Sequence, residues 1–183
     1  MDTRRDGFTL LEVATYIAVL SVLGVPLVSI VLAGTRATSE NDVINKVEER
    51  NRIALIRVES EVRKGISGSL IVTSGGRSLQ LTRAAGFDGT SVIPGLPVGF
   101  QFRLASDEAA NGRDDNRNGI ADEGELVWSS GAGNSLVCGD VDLNASGFAL
   151  NGTGVTITVA SFGSLRGNGT FSLAKTLTVF PRN

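Results

Sequence analysis

The chain has 183 residues and a formal net charge of −2, with no histidine and a single cysteine. These counts exclude histidine triads, histidine proton shuttles and histidine metal centres, an intrachain disulfide and a thiolate zinc cluster, and any electrostatic case for nucleic acid as a partner. Glycine is abundant at 23 residues and aromatics make up only 5%. With the Ser/Thr-rich alternation of the second half, this composition predicts a loop-rich β domain rather than a helical one.

The chain opens on Met1 to Gly7, a short leader with Arg4 and Arg5. Gly7-Phe8-Thr9-Leu10-Leu11-Glu12-Val13 follows and begins an apolar run from Phe8 to about Ala33, in which Glu12 is the sole charged residue. An apolar stretch of ~20 residues is what an α-helix needs to cross the hydrocarbon core. A carboxylate inside it costs at least ~2.5 kcal/mol on insertion scales and so calls for a partner or a function. Arg4 and Arg5 place the N-terminus on the cytoplasmic side; Asp2 and Asp6 count little in that rule. Gly24 and Pro26 interrupt the run, and Pro26, which lacks an N–H and crowds the Val22 carbonyl, predicts a kink or an opened turn. A rival reading is a secretory signal peptide cut after Val31-Leu32-Ala33. Against it, the run is longer than a typical signal core, and Glu12 would serve no purpose in a discarded peptide.

Gly7-Phe8-Thr9-Leu10-Leu11-Glu12 resembles the processing site of type IV prepilins and of the pseudopilins of type II secretion. The resemblance implies that a membrane-embedded prepilin peptidase cuts between Gly7 and Phe8 and methylates the amine of Phe8. It also implies that Glu12 stays in the mature subunit and meets the amine of a neighbouring subunit, setting register during filament assembly. Pro26 would then mark a point where the helix bends or melts as subunits pack. The stretch Asn51-Arg52-Ile53-Ala54-Leu55 to Glu61-Val62-Arg63 resembles J-type minor pseudopilins and PilW-type minor pilins, as does the ending Leu177-Thr178-Val179-Phe180-Pro181-Arg182-Asn183. The first likeness implies a place near the tip of a secretion filament among other minor subunits, the second the priming of a true pilus. The implied fold is α+β and pilin-like: a long N-terminal helix, its first half in the inner membrane and its second half against an antiparallel β-sheet. The implied role is structural and non-catalytic, with the C-terminal domain periplasmic or extracellular.

The expected organisation is a leader at 1–7, a transmembrane helix at 8–34, an amphipathic continuation at 35–66 and a β-rich domain at 67–183. Ser39 and Asp42 have capping-box-like spacing, so a break is expected within Gly34 to Ser39. Beyond it Val43, Val47, Ala54, Leu55, Val58, Val62 and Ile66 form one apolar stripe at three- and four-residue intervals. Glu40, Lys46, Glu48, Glu49, Arg50, Arg52, Arg57, Glu59, Glu61, Arg63 and Lys64 read mostly as a solvated face, where ion pairs are worth only ~0–1 kcal/mol each. A helix from Phe8 to about Lys64 would be on the order of 85 Å long.

After Gly65 the period changes to two. Leu70–Thr73 and Ser78–Thr82 flank Ser74-Gly75-Gly76-Arg77 as a hairpin. Ala84 to Pro97 reads as a Gly/Pro-rich loop. Further strands are expected at Val98–Leu104, Glu125–Ser129, Leu136–Val141, Gly154–Ala160 and Thr170–Phe180, the last long enough to bend or divide. Cys138 falls in a strand as a small buried apolar residue. Asn144, Asn151 and Asn168 each begin an Asn-X-Ser/Thr sequence, which in this composition reads as turn chemistry.

Asp107 to Glu125 is the one stretch with site chemistry. Asp114-Asp115-Asn116-Arg117-Asn118-Gly119-Ile120-Ala121-Asp122-Glu123-Gly124-Glu125 fits the pattern of a calcium loop. Asp114, Asn116 and Asn118 would point oxygens at one centre, Gly119 would permit the sharp turn and the Ile120 carbonyl would add a backbone ligand. Asp122 would bind directly or through water, and Glu125 would close the shell. Oxygen ligands without sulfur or imidazole suit calcium better than a transition metal. The apolar residue usual at the eighth position is Ala121 here, and strands rather than helices flank the loop, so the expectation is an EF-like insert between strands. Asp122 and Glu125 as an acid/base pair for glycoside cleavage are disfavoured, because their spacing fits metal binding better. The second class of function left by the sequence is a secreted calcium-binding β domain that uses Phe8 to Ala33 as a signal peptide.

Overall fold

The computed structural model describes residues 9–118, 120–165 and 169–182. The leader, Gly7 and Phe8 lie outside the described residues, as do Gly119 of the acidic loop and Asn168. The protein is α+β: one helix, α1 (Leu10–Arg63), precedes eight strands that pair antiparallel throughout. The chain divides into two compact units, the first reaching Asp42 and the second running from Val43.

In the first unit every described residue from Leu10 to Thr38 is exposed except Gly24, which is half-buried. α1 is long and apolar enough here to cross a membrane, and no residue of its most apolar stretch is buried. A helix apolar all round that packs on nothing in its own unit is suited to an apolar solvent. Its hydroxyls turn back onto the helix, as lipid would require: Thr15 Oγ1 donates to the Leu11 carbonyl at 2.9 Å and Ser29 Oγ to Val25 at 2.9 Å. Helical backbone continues through Pro26 and through Gly34–Ser39. The break expected near Gly34 is therefore absent. Within a continuous helix the N–H groups there already have partners, so Ser39 and Asp42 have no orphan donors to cap.

In the second unit α1 buries Val47, Ala54, Leu55, Val58 and Val62, as its stripe predicts. The helix stops at Arg63, three residues short of the expected Ile66. Its last turn tightens, with Lys64 N–H on the Glu61 carbonyl and Gly65 N–H on that of Val62. Two polar residues share the buried face. Asn51 donates from Nδ2 to the Leu173 carbonyl at 2.6 Å and accepts from Ser161 Oγ at 2.6 Å. Glu61, expected on the solvated face, is 1% exposed and ion-paired with Arg83 and Lys64.

The strands are β1 (Ile71–Thr73), β2 (Ser78–Phe87), β3 (Val92–Leu104), β4 (Gly124–Ser130), β5 (Gly133–Val141), β6 (Gly147–Asn151), β7 (Gly154–Leu165) and β8 (Gly169–Val179). They order as β1-β2-β3-β4-β5-β7-β6, with β8 on β7. Alternate residues face the core: Leu79 and Leu81, Val98, Phe100 and Phe102, Val155, Ile157 and Val159 pack with Ala54, Leu55, Val58 and Val62 of α1. Each large apolar side chain so buried contributes ~1.5–3 kcal/mol. Cys138 belongs to this core, and burial pushes its thiol above the ordinary range against the opposing effect of the Ser161 hydroxyl.

Three strand expectations change. Ala84 to Pro97 is no loop: β2 and β3 continue through it as a hairpin whose turn, Asp88–Ser91, is held by Asp88 Oδ1 accepting from Thr90 N–H at 2.9 Å and Ser91 N–H at 2.8 Å. Those two donors hold the Asp88 carboxyl below its usual range. Irregular register between Thr82 and Gly86 accommodates the prolines opposite. β6 was not expected, and β8 is one unbroken strand paired with β7 from Val179 to Gly169.

The sheet curls into a half-barrel, bringing β6 back to the turn between β1 and β2. Gly76 marks the closest approach. Its φ is +89°, and a Cβ placed on it would lie 2.9 Å from the Phe148 carbonyl oxygen. Gly76→Val should therefore lower stability by ~1–3 kcal/mol, the usual cost of a strained left-handed residue. Chemical denaturation of the full chain in detergent checks this, and an unchanged midpoint would contradict the close approach.

Candidate functional site

Two regions carry candidate functional groups, the first turn of α1 and the acidic loop between β3 and β4. At the first turn, Glu12 Oε2 accepts from the Thr9 N–H at 3.4 Å, and Thr9 Oγ1 accepts from the Glu12 N–H at 3.3 Å. This is a reciprocal capping box. It sets the Glu12 carboxylate beside the positive end of the helix. The signal was in the sequence, since Thr9-x-x-Glu12 has the capping spacing.

The acidic loop folds on its own side chains. Asp114 Oδ1 and Asn116 Oδ1 both accept from the Asn118 N–H at 3.0 Å, and Asn118 Oδ1 accepts from the Ile120 N–H at 2.8 Å. Asp114, Asn116, Asn118 and Ile120 thus share one turn. Asp122 faces elsewhere: its two oxygens accept from the N–H groups of Asn111 at 3.0 Å and Gly112 at 2.8 Å. Glu125 lies in β4 directly opposite Arg103 of β3, whose Nε donates to Oε1 at 2.7 Å. The structure therefore does not bring Asp122 and Glu125 to a common centre with the other four residues. Among the described residues no group of three or more acidic, cysteine or histidine side chains is spaced to hold a metal ion.

Two carboxylates outside the expected set do turn inward. Glu108 is 8% exposed and Glu123 is 2% exposed. Glu123 Oε1 accepts from Asn116 Nδ2 at 2.7 Å and from Asn118 Nδ2 at 2.6 Å, and Glu108 Oε1 accepts from the Asn116 N–H at 3.1 Å. No spacing rule singles them out, because burial of a loop carboxylate depends on how the loop folds back. The loop also meets α1: Asn118 and Ile120 line a groove with Val43, Val47 and Arg50, and Arg50 is ion-paired with Asp140 of β5.

No family model, curated protein or solved structure matches the chain. The guanidiniums of exposed Arg57 and half-buried Arg83 lie 5.1 and 5.5 Å from the centre of the Trp128 ring, so both cations pack on that ring.

Proposed function

We propose that the chain is a structural subunit of a type IV pilus or type II secretion filament, a minor pilin or pseudopilin. It is inserted in the inner membrane by the first part of α1, cut after Gly7 by prepilin peptidase, methylated at Phe8 and assembled with other subunits of its kind. The single observation that carries this reading is α1 itself. One helix is exposed and apolar through Ala33, and from Val47 onward it buries one face in the core of an antiparallel sheet. A secretory signal would be removed and would need no continuity with the domain's own core helix. The role is non-catalytic in this reading, and the sheet domain lies on the periplasmic or extracellular side. Glu12 and the Phe8 amine of a neighbouring subunit form the assembly contact.

Mass spectrometry of the mature N-terminus, purified from membranes, tests the proposal. The expected terminus is N-methyl-Phe8. A terminus at Gly34 would reject the filament reading and make the protein a secreted β domain.

A further inference from the structure

We propose that the acidic loop binds one divalent cation of the calcium class between the carboxylates of Glu108 and Glu123, rather than at Asp122 and Glu125. This goes beyond the filament reading and stands independently of it. Both glutamates are more than nine-tenths buried. Each satisfies only Oε1; the Oε2 atoms of both are buried without a hydrogen-bond partner. A buried carboxylate oxygen without a donor is costly, and more so when a second carboxylate is close by. Here both are tied to the same residue, Asn116, one through its backbone N–H and the other through its side-chain amide. A third carboxylate, Asp107, approaches that amide with Oδ2 at 3.2 Å from Nδ2. Among the described residues no lysine or arginine ion pair reaches Glu108 or Glu123.

The chemistry of the missing partner follows from these donors. The two carboxylates are hard oxygen ligands, each with a buried Oε2 free to bind, and the site holds no sulfur or imidazole. Calcium accepts six to eight such oxygens in irregular geometry and takes a carboxylate with both its oxygens. Magnesium demands a near-ideal octahedron and gives up its water reluctantly. The site lies at the neck of the loop, where the Ala105 N–H bonds to the Glu123 carbonyl at 3.1 Å and the Glu108 N–H to the Ala105 carbonyl at 3.1 Å. A cation there clamps both ends of the loop together. It also holds Ile120, 8% exposed, in the groove against Val43 and Val47 of α1.

Thermal unfolding of the full chain in detergent, first stripped with EGTA, tests the site with calcium chloride as probe. In 1 mM calcium the melting temperature should rise by roughly 5–10 °C over EGTA, the shift expected at about a hundredfold excess over Kd. Glu108→Gln and Glu123→Gln should each lose most of that rise while melting in EGTA close to the unchanged chain. Glu125→Gln, which alters only the pair with Arg103, should keep it. Calorimetric titration gives the same comparison without heating, so a poorly folded variant of one glutamate leaves the other to decide. Absence of a rise in the unchanged chain would overturn the site. So would retention of the rise in either glutamine variant, or its loss in Glu125→Gln. An equal rise in magnesium would overturn the assignment to calcium.

Discussion

Arg83→Met should lower the stability of the sheet-bearing unit by about 3 kcal/mol, the low end of the cost of stranding a buried charge. Glu61 projects from the inner face of α1 and is 1% exposed. Its partners are Arg83 and Lys64, and Lys64, at 3.2 Å, has a side chain 57% exposed. Most of the compensation for burying the Glu61 carboxylate therefore comes from Arg83. Methionine keeps much of the aliphatic bulk over Trp128 but removes the charge. If the loss comes from an uncompensated anion, Glu61→Met in the same chain should restore most of the stability, since apolar replacement of a whole buried pair is often neutral or favourable. Urea denaturation of the single and double variants measures both effects. A single-variant loss under ~1 kcal/mol would class this contact with ordinary surface pairs.

Glu12→Ala should leave cleavage after Gly7 intact and abolish incorporation into filaments. The local cap accounts for only part of the effect: losing the reciprocal bonds with Thr9 costs ~0.5–2 kcal/mol of helix stability. In the proposed assembly the larger part comes from leaving the neighbour's Phe8 amine without its counter-charge in apolar surroundings, ~3–5 kcal/mol. At 1.4 kcal/mol per tenfold, that corresponds to a loss of more than a hundredfold in the subunit association constant. Glu12→Gln separates the two contributions, because glutamine can still serve in a capping box but carries no charge. Sheared-filament fractions probed for the subunit should lack both variants. Normal incorporation of Glu12→Gln would assign Glu12 to the cap alone.

The α+β architecture was legible because its signals are periodic. Val47, Ala54, Leu55, Val58 and Val62 repeat at helical spacing, and Leu79, Leu81, Val98, Phe100 and Phe102 alternate. The expectations that failed did so for physical reasons tied to particular residues. Glu61 occupies an inward position of α1, but its charge reads as solvated until Arg83 supplies a partner from the sheet. β6 buries only Phe148 among its five residues, too few for an alternation to show. Pro94, Gly95 and Pro97 hid the β2–β3 hairpin, which tolerates them through its irregular register. In the acidic loop, ligand spacing assumes that the last glutamate is free to swing inward. Glu125 lies in β4, close to where a strand is expected, and pairing with β3 sets it against Arg103.

β8 pairs with β7 alone among the described residues, so its 11 residues present one long edge outside the ladder. Such an edge is a template on which a second copy can add a strand and start an aggregate. Here α1 guards it. Asn51 occupies the outward carbonyl of Leu173, and Glu48 draws Lys175 onto the helix at 2.5 Å. The buried asparagine thus protects solubility as well as packing. A domain that loosened its helix before finding its proper neighbours would expose, in β8, a nucleus for sheet growth between copies.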